Sequence, residues 1–270
     1  MSKRKALFFD VDGTLISELD GTLPQSAAKA IAEARARGHL TFINSGRVSR
    51  LLDPFREVIA MDGYLCGCGT YILVEGKEIY ARKIPHKRGL EIKQLFKQYK
   101  MEGILEGKGG CHFRRDTSPM EQLEKIRQSI RRTGALSPFP IEDDSYDFDK
   151  FCCVSDKNSD VKGFIQNLPD FEVIDRGHDF WECVPKGHSK ATAIAKVLEH
   201  YGLEQKDAYV FGDSTNDLAM FAYAPNAVLM GAHDKELEPY ATFTTRTVEE
   251  DGIAYAMKKL GIIEGVYYQE

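Results

Sequence analysis

Two carboxylates at the end of a predicted strand carry the clearest chemical signal in this sequence of 270 residues. Asp10 and Asp12 follow the apolar run Ala6–Phe9, which is typical of a buried strand, and Gly13 interrupts that run directly afterwards. Side chains alternate along a strand, so two acids two positions apart point to the same side. An aspartate is ionised at neutral pH and is a competent nucleophile toward phosphorus, while a second acid can hold a proton for the leaving oxygen. The motif predicts phosphoryl transfer through an aspartyl-phosphate.

A hydroxyl group and a cation stand at two further element boundaries. Ser45 and Gly46 follow the strand-like run Leu40–Ile43, and a hydroxyl with backbone N–H groups at a helix start suits a phosphate. The same residues also suit a plain turn with an N-cap serine. Lys190 opens a predicted helix, where a cation opposes the helix dipole. A phosphate or a carboxylate cluster nearby accounts for this lysine, and so does a solvated cation.

Three oxygen-bearing side chains follow the strand-like run Tyr209–Phe211. Asp213 ends this strand as Asp10 ends the first, and Asn216 and Asp217 come one helical turn later. Carboxylate oxygens of this kind suit Mg²⁺, which binds one or two carboxylates, waters and a substrate phosphate. An N-capped helix start with aspartate in its first turn is the structural alternative.

Composition limits the partners that we expect. The net charge is -5 and no apolar run approaches the roughly 18 residues of a membrane span, so we expect neither a nucleic-acid nor a membrane partner. The N-terminus reaches Asp10 too soon to contain a secretory leader, which predicts a cytoplasmic protein. The six cysteines form no CxxC pair and are predicted to pack as small apolar side chains.

Strand-like and helical segments alternate at both ends of the chain, which predicts an α/β fold with a Rossmann-like parallel sheet covered on both faces. All four motifs lie where a strand ends and a turn or helix begins, and open parallel sheets bind their ligands at that edge. The predicted strands are Ala6–Val11, Leu40–Ser45, Tyr64–Cys68, Ala208–Gly212 and Ala227–Met230, and the predicted helices are Ser26–Arg37, Ser189–Tyr201 and Val248–Leu260.

The middle of the chain follows a different pattern, with polar helices between separate strands. It predicts an inserted α+β domain at residues 83–185, which leaves 1–82 and 186–270 for the parallel-sheet core. A predicted capping box with proline at the first helical position starts a helix at Ser118. Arg114 and Arg115 in this domain suit either a second anionic group of a substrate or an exposed hairpin.

The order of these motifs, Asp-Val-Asp-Gly-Thr, Ser-Gly-Arg, Lys and Gly-Asp-Ser-Thr-Asn-Asp, resembles that of the haloacid dehalogenase-like (HAD) superfamily. The insertion and the segment Trp181–Lys190 resemble Cof-type members with a C2 (IIB) cap. The resemblance extends over the whole chain. It implies a Mg²⁺-dependent phosphatase of small phosphorylated metabolites, with sugar phosphates favoured and with the cap selecting the substrate.

The resemblance also implies a role for each motif residue. Asp10 is expected to be the nucleophile, Asp12 the general acid and then base, and Lys190 the cation that neutralises phosphate and nucleophile. Asp10, Asp213 and the backbone carbonyl of Asp12 are expected to bind Mg²⁺. The expected phosphate ligands are Ser45, Gly46, Lys190 and Asn216, and Asp217 is expected to support the metal's coordination shell.

Other functions remain open on the same residues. A phosphomutase has the same core but retains a bisphosphorylated intermediate, and a non-catalytic metabolite-binding protein can also keep this fold. A halide or glycosyl-transfer site with two carboxylates would reuse Asp10 and Asp12 but leave Lys190 and Asp213 without a task. We expect a small phosphorylated metabolite as the partner, and a monomer or homodimer.

Overall fold

The computed structural model describes residues 3–269, and these fall into two units. The structure groups residues 47–55 with the inserted segment, whereas the sequence placed them in the core. The predicted limits of 83–185 for the inserted domain stay a prediction. The first unit comprises Met1–Gly46, Arg56–Ile79 and Ser189–Glu270, and the second comprises Arg47–Phe55 and Tyr80–His188.

Helices and strands alternate along most of the chain. The strands are β1 (Ala6–Phe9), β2 (Leu40–Asn44), β3 (Gly63–Cys66), β4 (Tyr71–Val74), β5 (Lys77–Ala81), β6 (Glu102–Gly107), β7 (Gly110–His112), β8 (Lys150–Val154), β9 (Phe171–Asp175), β10 (Phe180–Pro185), β11 (Ala208–Gly212), β12 (Asn226–Leu229) and β13 (Phe243–Thr244). The helices are α1 (Gln25–Ala36), α2 (Asp53–Val58), α3 (His86–Gln98), α4 (Glu121–Arg132), α5 (Val161–Gln166), α6 (Lys190–Tyr201), α7 (Leu218–Tyr223) and α8 (Gly252–Lys259). Short 3₁₀ helices cover Ser49–Leu52, Gly67–Gly69, Gln205–Asp207, Thr215–Asp217 and Lys235–Tyr240. Within residues 3–269, no helix is both long and apolar enough to cross a membrane.

The first unit is built on an eight-stranded sheet in the order β13-β12-β11-β1-β2-β3-β4-β5. Its strands from β13 to β3 are parallel, and β4 pairs antiparallel with β3. Every residue of β1 is buried, and because side chains alternate, this requires cover on both faces. Helix α1 packs with α8 and α6 packs with α7. The predicted parallel-sheet core is confirmed.

The second unit contains a five-stranded antiparallel sheet in the order β7-β6-β8-β10-β9. Adjacent residues of β8 serve different apolar clusters, since Phe151 packs with Phe96 of α3 and Phe164 of α5, whereas Cys152 belongs with Leu123 of α4. Each face of this sheet therefore has its own helical cover. The predicted α+β insertion is confirmed as a fold.

Two helices begin later than the sequence predicts. Helix α4 begins at Glu121 rather than after Ser118, because the Ser118 hydroxyl accepts a hydrogen bond from Met120 N (3.1 Å) and forms a local turn there. Helix α8 begins at Gly252 rather than near Val248, because Asp251 has a left-handed backbone conformation with a φ of 63° that no helix can contain. In both cases a local turn displaces the helix start.

All six cysteines are buried and free. Cys66 and Cys68 belong to the first unit, and Cys111, Cys152, Cys153 and Cys183 belong to the second. Burial raises the pKa of the Cys111, Cys152 and Cys183 thiols well above the usual value, which suppresses the reactive thiolate. The prediction of small apolar packing residues is confirmed.

Candidate active site

The carboxyl ends of three parallel strands bring the sequence motifs to one edge of the first unit's sheet. Phe9 of β1 lies opposite Ile43 of β2 on one side and Phe211 of β11 on the other. The residues that follow these three positions therefore leave the sheet side by side. Asp10, which is 2% exposed, is anchored there by its backbone N–H, which donates to Phe211 O (3.0 Å).

Lys190 is the centre of the site. It is the first residue of α6, which starts there because the Ser189 hydroxyl accepts a hydrogen bond from Thr192 N and caps the helix. The Lys190 side chain is 1% exposed, and its Nζ donates to Asp10 Oδ1 (2.6 Å) and Asp217 Oδ1 (2.5 Å). Nζ also donates to Asn216 Oδ1 (2.9 Å). A carboxylate cluster thus accounts for a cation at this helix start.

Asp213 joins the first and last motifs. Its Oδ1 accepts a hydrogen bond from the Thr14 hydroxyl (2.7 Å), which links the turn after β1 to the turn after β11. Gly13, with a φ of 72°, makes this approach possible, because a Cβ there would lie 2.5 Å from Asp213 Oδ2. The glycine is needed both for its backbone angle and for the space.

Asp217 is fully committed to protein partners. Lys190 Nζ binds its Oδ1, while its Oδ2 accepts the backbone N–H groups of Asp213 (3.0 Å) and Ser214 (3.4 Å). Gly212 leaves room for it, because a Cβ at that position would lie 2.4 Å from Asp217 Oδ2. Since both oxygens are in use, Asp217 is placed to position Lys190 and the Asp213 turn.

Asp10, Asp213 and Asp217 together with Lys190, here called the Lys190 cluster, set three carboxylates against one ammonium group. Burial and the neighbouring Asp217 raise the pKa of Asp10 to about 7, against the opposite effect of Lys190. Burial, Asp217 and Asp10 raise the pKa of Asp213 to about 8. Burial alone lowers the pKa of Lys190, but Asp10 and Asp217 outweigh burial and raise it above its usual value. The cluster lacks positive charge.

This donor set fits a divalent cation that prefers oxygen. Asp10, Asp213 and Asp217 each offer a carboxylate oxygen, and these oxygens lie within 4.8 Å of one another. A cation among them would supply the missing positive charge and favour the ionised carboxylates. Because Asp217 is already committed to other partners, Asp10 and Asp213 are the better candidates for direct ligands.

The remaining predicted residues lie around this cluster. Ser45, 2% exposed, directly follows β2, and its backbone N–H donates to Leu65 O (2.9 Å). Gly46 follows it at the end of the same segment and is half-buried. Asp12 is exposed in the turn after β1, which is closed by the hydrogen bond from Gly13 N to Ile16 O (3.1 Å). The roles of these three residues stay predictions.

Two residues with a part in the site were not selected from the sequence. Thr14 belongs to the first motif, and only the structure reveals that its hydroxyl binds Asp213. Asn44 is completely buried, and its amide N–H donates to Lys190 O (3.1 Å), which ties β2 to the start of α6. A buried amide at a strand end was the available signal for Asn44.

Comparison with known proteins places the chain among hydrolases. The family model for haloacid dehalogenase-like hydrolases matches residues 7–257. The putative phosphatase YkrA of Bacillus subtilis (strain 168) is 32% identical over 269 residues, which cover 96% of this chain and 99% of that protein. The 5-amino-6-(5-phospho-D-ribitylamino)uracil phosphatase YwtE of the same organism is 27% identical over 280 residues, which cover 95% of this chain and 98% of that protein.

A solved structure agrees in fold over nearly the whole chain. The HAD subclass IIB sugar phosphatase BT4131 matches with a TM-score of 0.82 and 26% identity, and the match covers 96% of this chain and 100% of that one. The resemblance predicted from the four motifs is thereby confirmed. Since the family model spans most of the sequence and a relative is 32% identical over almost its full length, this protein belongs to the haloacid dehalogenase-like hydrolases.

Proposed function

We propose that this phosphoric monoester hydrolase is a Mg²⁺-dependent phosphatase that transfers the phosphoryl group of a small metabolite to Asp10 and then to water. The observation that carries the proposal is the Lys190 cluster, in which a buried lysine contacts the proposed nucleophile at 2.6 Å beside two further buried carboxylates. Such a cluster is expensive for the fold, because it removes an excess of charge from water. A charged substrate and a cation explain why it is kept.

The chain's own residues account for the two chemical steps. Asp10 attacks phosphorus in line with the leaving oxygen, and Lys190 keeps this carboxylate ionised and turned toward the site. Asp12 protonates the departing alcohol and later takes a proton from the water that attacks the aspartyl-phosphate. The exposure of Asp12 is compatible with proton exchange with solvent. Ser45, Gly46 and Asn216 bind the phosphoryl oxygens.

The residues that would bind Mg²⁺ are Asp10, Asp213 and the backbone carbonyl of Asp12, with Asp217 in support. When bound, the ion neutralises charge on the phosphate and on the carboxylates. This proposal is supported by the raised pKa values of Asp10 and Asp213, because both indicate a place where one more positive charge is favourable. The hydrogen bond from Thr14 leaves Asp213 Oδ2 as the oxygen for the metal.

Small phosphorylated metabolites are the proposed substrates, and sugar phosphates are the first class to test. The named sugar phosphatase among the solved structures supports this order, and the relative named for a phosphorylated ribitylamino compound widens the class. A cytoplasmic location and a monomeric or homodimeric state stay predictions from the sequence.

The proposal is tested with p-nitrophenyl phosphate and a panel of sugar phosphates, each with and without Mg²⁺. Asp10→Asn is expected to lower phosphate release by about 10⁴-fold or more while the protein stays folded, since it removes only the nucleophile. Glu57→Gln is the matched control, because Glu57 is an exposed carboxylate of the first unit that forms no ion pair within residues 3–269.

Each outcome has a distinct meaning. Retained phosphate release in folded Asp10→Asn would refute the assignment of the nucleophile. Transfer of the phosphoryl group between hydroxyls of one sugar, without net phosphate release, would indicate a phosphomutase. Tight binding of phosphorylated metabolites without any turnover would indicate a binding protein.

A further inference from the structure

The second unit contains a pocket of about 210 Å³ that four arginines line and no carboxylate lines. Arg114 and Arg115 reach it from the segment after β7, and Arg127 and Arg131 reach it from α4. Its other lining residues are apolar or carry a hydroxyl, namely Phe113, Leu136, Ser137, Pro138 and Pro140. The pair Arg114–Arg115 noted in the sequence is therefore half of a larger group of cations.

Two of these arginines have no acidic partner. Arg115 and Arg131 are exposed and form no ion pair with any carboxylate between residues 3 and 269. The nearby Glu142 accepts a hydrogen bond from the backbone N–H of Arg115 (3.0 Å). Arg114 differs, because its Nη1 contacts Glu102 Oε1 at 2.6 Å. The pocket therefore carries unbalanced positive charge.

Arg127 is held rigidly in the wall of the pocket. It is 8% exposed, and its Nη2 donates to the carbonyl oxygens of Arg114 (2.6 Å) and Asp116 (3.2 Å). Its guanidinium lies 5.2 Å from the ring centre of Phe113, and Glu124 lies 3.4 Å from its Nη1. Its Nε is a buried donor without a hydrogen-bond partner in the described structure. Such an orphan donor is unfavourable unless a ligand or water satisfies it.

The sequence spacing makes the arrangement more costly. Arg127 and Arg131 are four residues apart on α4, so their like charges lie on the same side of the helix, which destabilises an isolated helix. A bound anion removes this repulsion. Arginine forks also match the geometry of phosphate oxygens, which lysine binds only as a point charge.

We propose that this arginine pocket binds a phosphate dianion, either free or attached to a small organic body. Its volume equals that of about seven water molecules, which is enough for a phosphoryl group with a few further atoms. Pockets for drug-sized ligands are larger, at about 300–1,000 Å³. The inference does not depend on the proposed catalytic function, since every lining residue belongs to the second unit.

The test is isothermal titration of the full chain with inorganic phosphate and, separately, with methylphosphonate. The double variant Arg115→Gln/Arg131→Gln removes the two unpaired charges, and both side chains are exposed, so the fold tolerates the change. Arg132→Gln is the matched control, because it removes one charge from the same last turn of α4 outside the pocket. Turnover of p-nitrophenyl phosphate is measured for all proteins.

The expected result is that the double variant loses one phosphate site, with affinity at least tenfold weaker, while Arg132→Gln binds as the unchanged protein does. Binding of both probes assigns the pocket to a phosphoryl group on an organic body, and binding of inorganic phosphate alone assigns it to free phosphate. Unchanged phosphate binding in the double variant overturns the proposal, as does equal weakening by Arg132→Gln, which would indicate diffuse attraction. If no protein turns over the aryl phosphate, the catalytic proposal fails while the binding comparison keeps its meaning.

Discussion

Each unit of this protein buries a lysine among carboxylates, but the two clusters differ in charge balance. The Lys190 cluster of the first unit holds three acids and one base. The Lys150 cluster of the second unit comprises Lys150, Arg176, Glu106 and Glu182, with two acids and two bases. Lys150 Nζ lies 2.9 Å from Glu106 Oε2 and also binds Glu182, which Arg176 contacts from the other side.

The difference in balance reverses the direction of the pKa shifts. Burial alone raises the pKa of Glu182, but Lys150 and Arg176 outweigh burial and lower the pKa to about 2. In the Lys190 cluster the single lysine does not outweigh burial, and the pKa of Asp10 rises to about 7. A buried lysine among acids is therefore not a functional signal by itself. The excess of acid is the signal, because it leaves a place for a further cation.

The largest expected effect separates the two lysines by activity. Lys190→Met removes the cation that contacts Asp10, and phosphate release is expected to fall by about 10³-fold, as for the loss of a transition-state donor. Steady-state kinetics with p-nitrophenyl phosphate measure this effect. The control is Lys29→Met, an exposed lysine of α1, which is expected to keep full activity. Comparable activity in Lys190→Met and Lys29→Met would contradict the role given to Lys190.

The next effect is on stability and belongs to the Lys150 cluster. Lys150→Met leaves Glu106 and Glu182 without their shared partner, and breaking a buried ion pair in this way costs about 3–5 kcal/mol of the free energy of unfolding. Urea unfolding followed by the fluorescence of Trp181 measures it, because Trp181 is the chain's only tryptophan and lies in β10 beside Glu182.

A second variant guards this interpretation. Lys150→Met/Glu106→Gln removes a charge of each sign, so it is expected to recover part of the lost stability. If the double variant is no more stable than Lys150→Met, charge balance is not what stabilises this cluster.

Acid titration gives a smaller effect with a defined direction. Because the pKa of Glu182 is lower in the folded protein, its stabilisation is complete above the ordinary value of 4.5 and is lost as the pH falls toward 2. The full loss corresponds to about 3 kcal/mol for a shift from 4.5 to about 2. Unfolding of the unchanged protein and of Glu182→Gln at pH 5 and pH 3 should show a steeper loss in the unchanged protein. Parallel losses would contradict the shift.

The smallest effect concerns the binding of Mg²⁺. The raised pKa values of about 7 for Asp10 and about 8 for Asp213 mean that protons compete with the metal below those values. At pH 6 a group with a pKa of 7 is only about one-tenth ionised, so the apparent affinity should fall at least about tenfold between pH 8 and pH 6. Calorimetry in two buffers of different ionisation enthalpy detects the released protons. A pH-independent affinity would show that these carboxylates are not the ligands.

The parallel core was predictable because its signals are local and repeated. Apolar runs such as Ala6–Phe9, followed directly by turn residues, define strands that are buried on both faces. The strand β6 was not predicted, because Glu102–Gly107 contains two glutamates and two glycines, which are rare in strands. The Glu106 carboxylate is satisfied by Lys150, a partner distant in sequence, so tertiary context overrides local propensity there.

The candidate site was predictable as a set of residues but not as an arrangement. Motif order selected Asp10, Lys190 and Asp213, which the structure brings to one sheet edge. The sequence could not reveal that Asp217 spends both carboxylate oxygens on protein donors, because that depends on the turn after β11. Likewise, the arginine pocket requires α4 to lie beside the segment after β7, which no spacing in the sequence records.

The buried thiols provide a natural means of timing the opening of each unit. Two of them report on the parallel-sheet unit and four on the inserted unit. An alkylating reagent reaches a buried thiol only when the surrounding structure opens, so the labelling rate measures local unfolding. Mass spectrometry of peptides from a protein pulsed with iodoacetamide therefore gives two separate clocks in one unmodified chain, without any engineered probe.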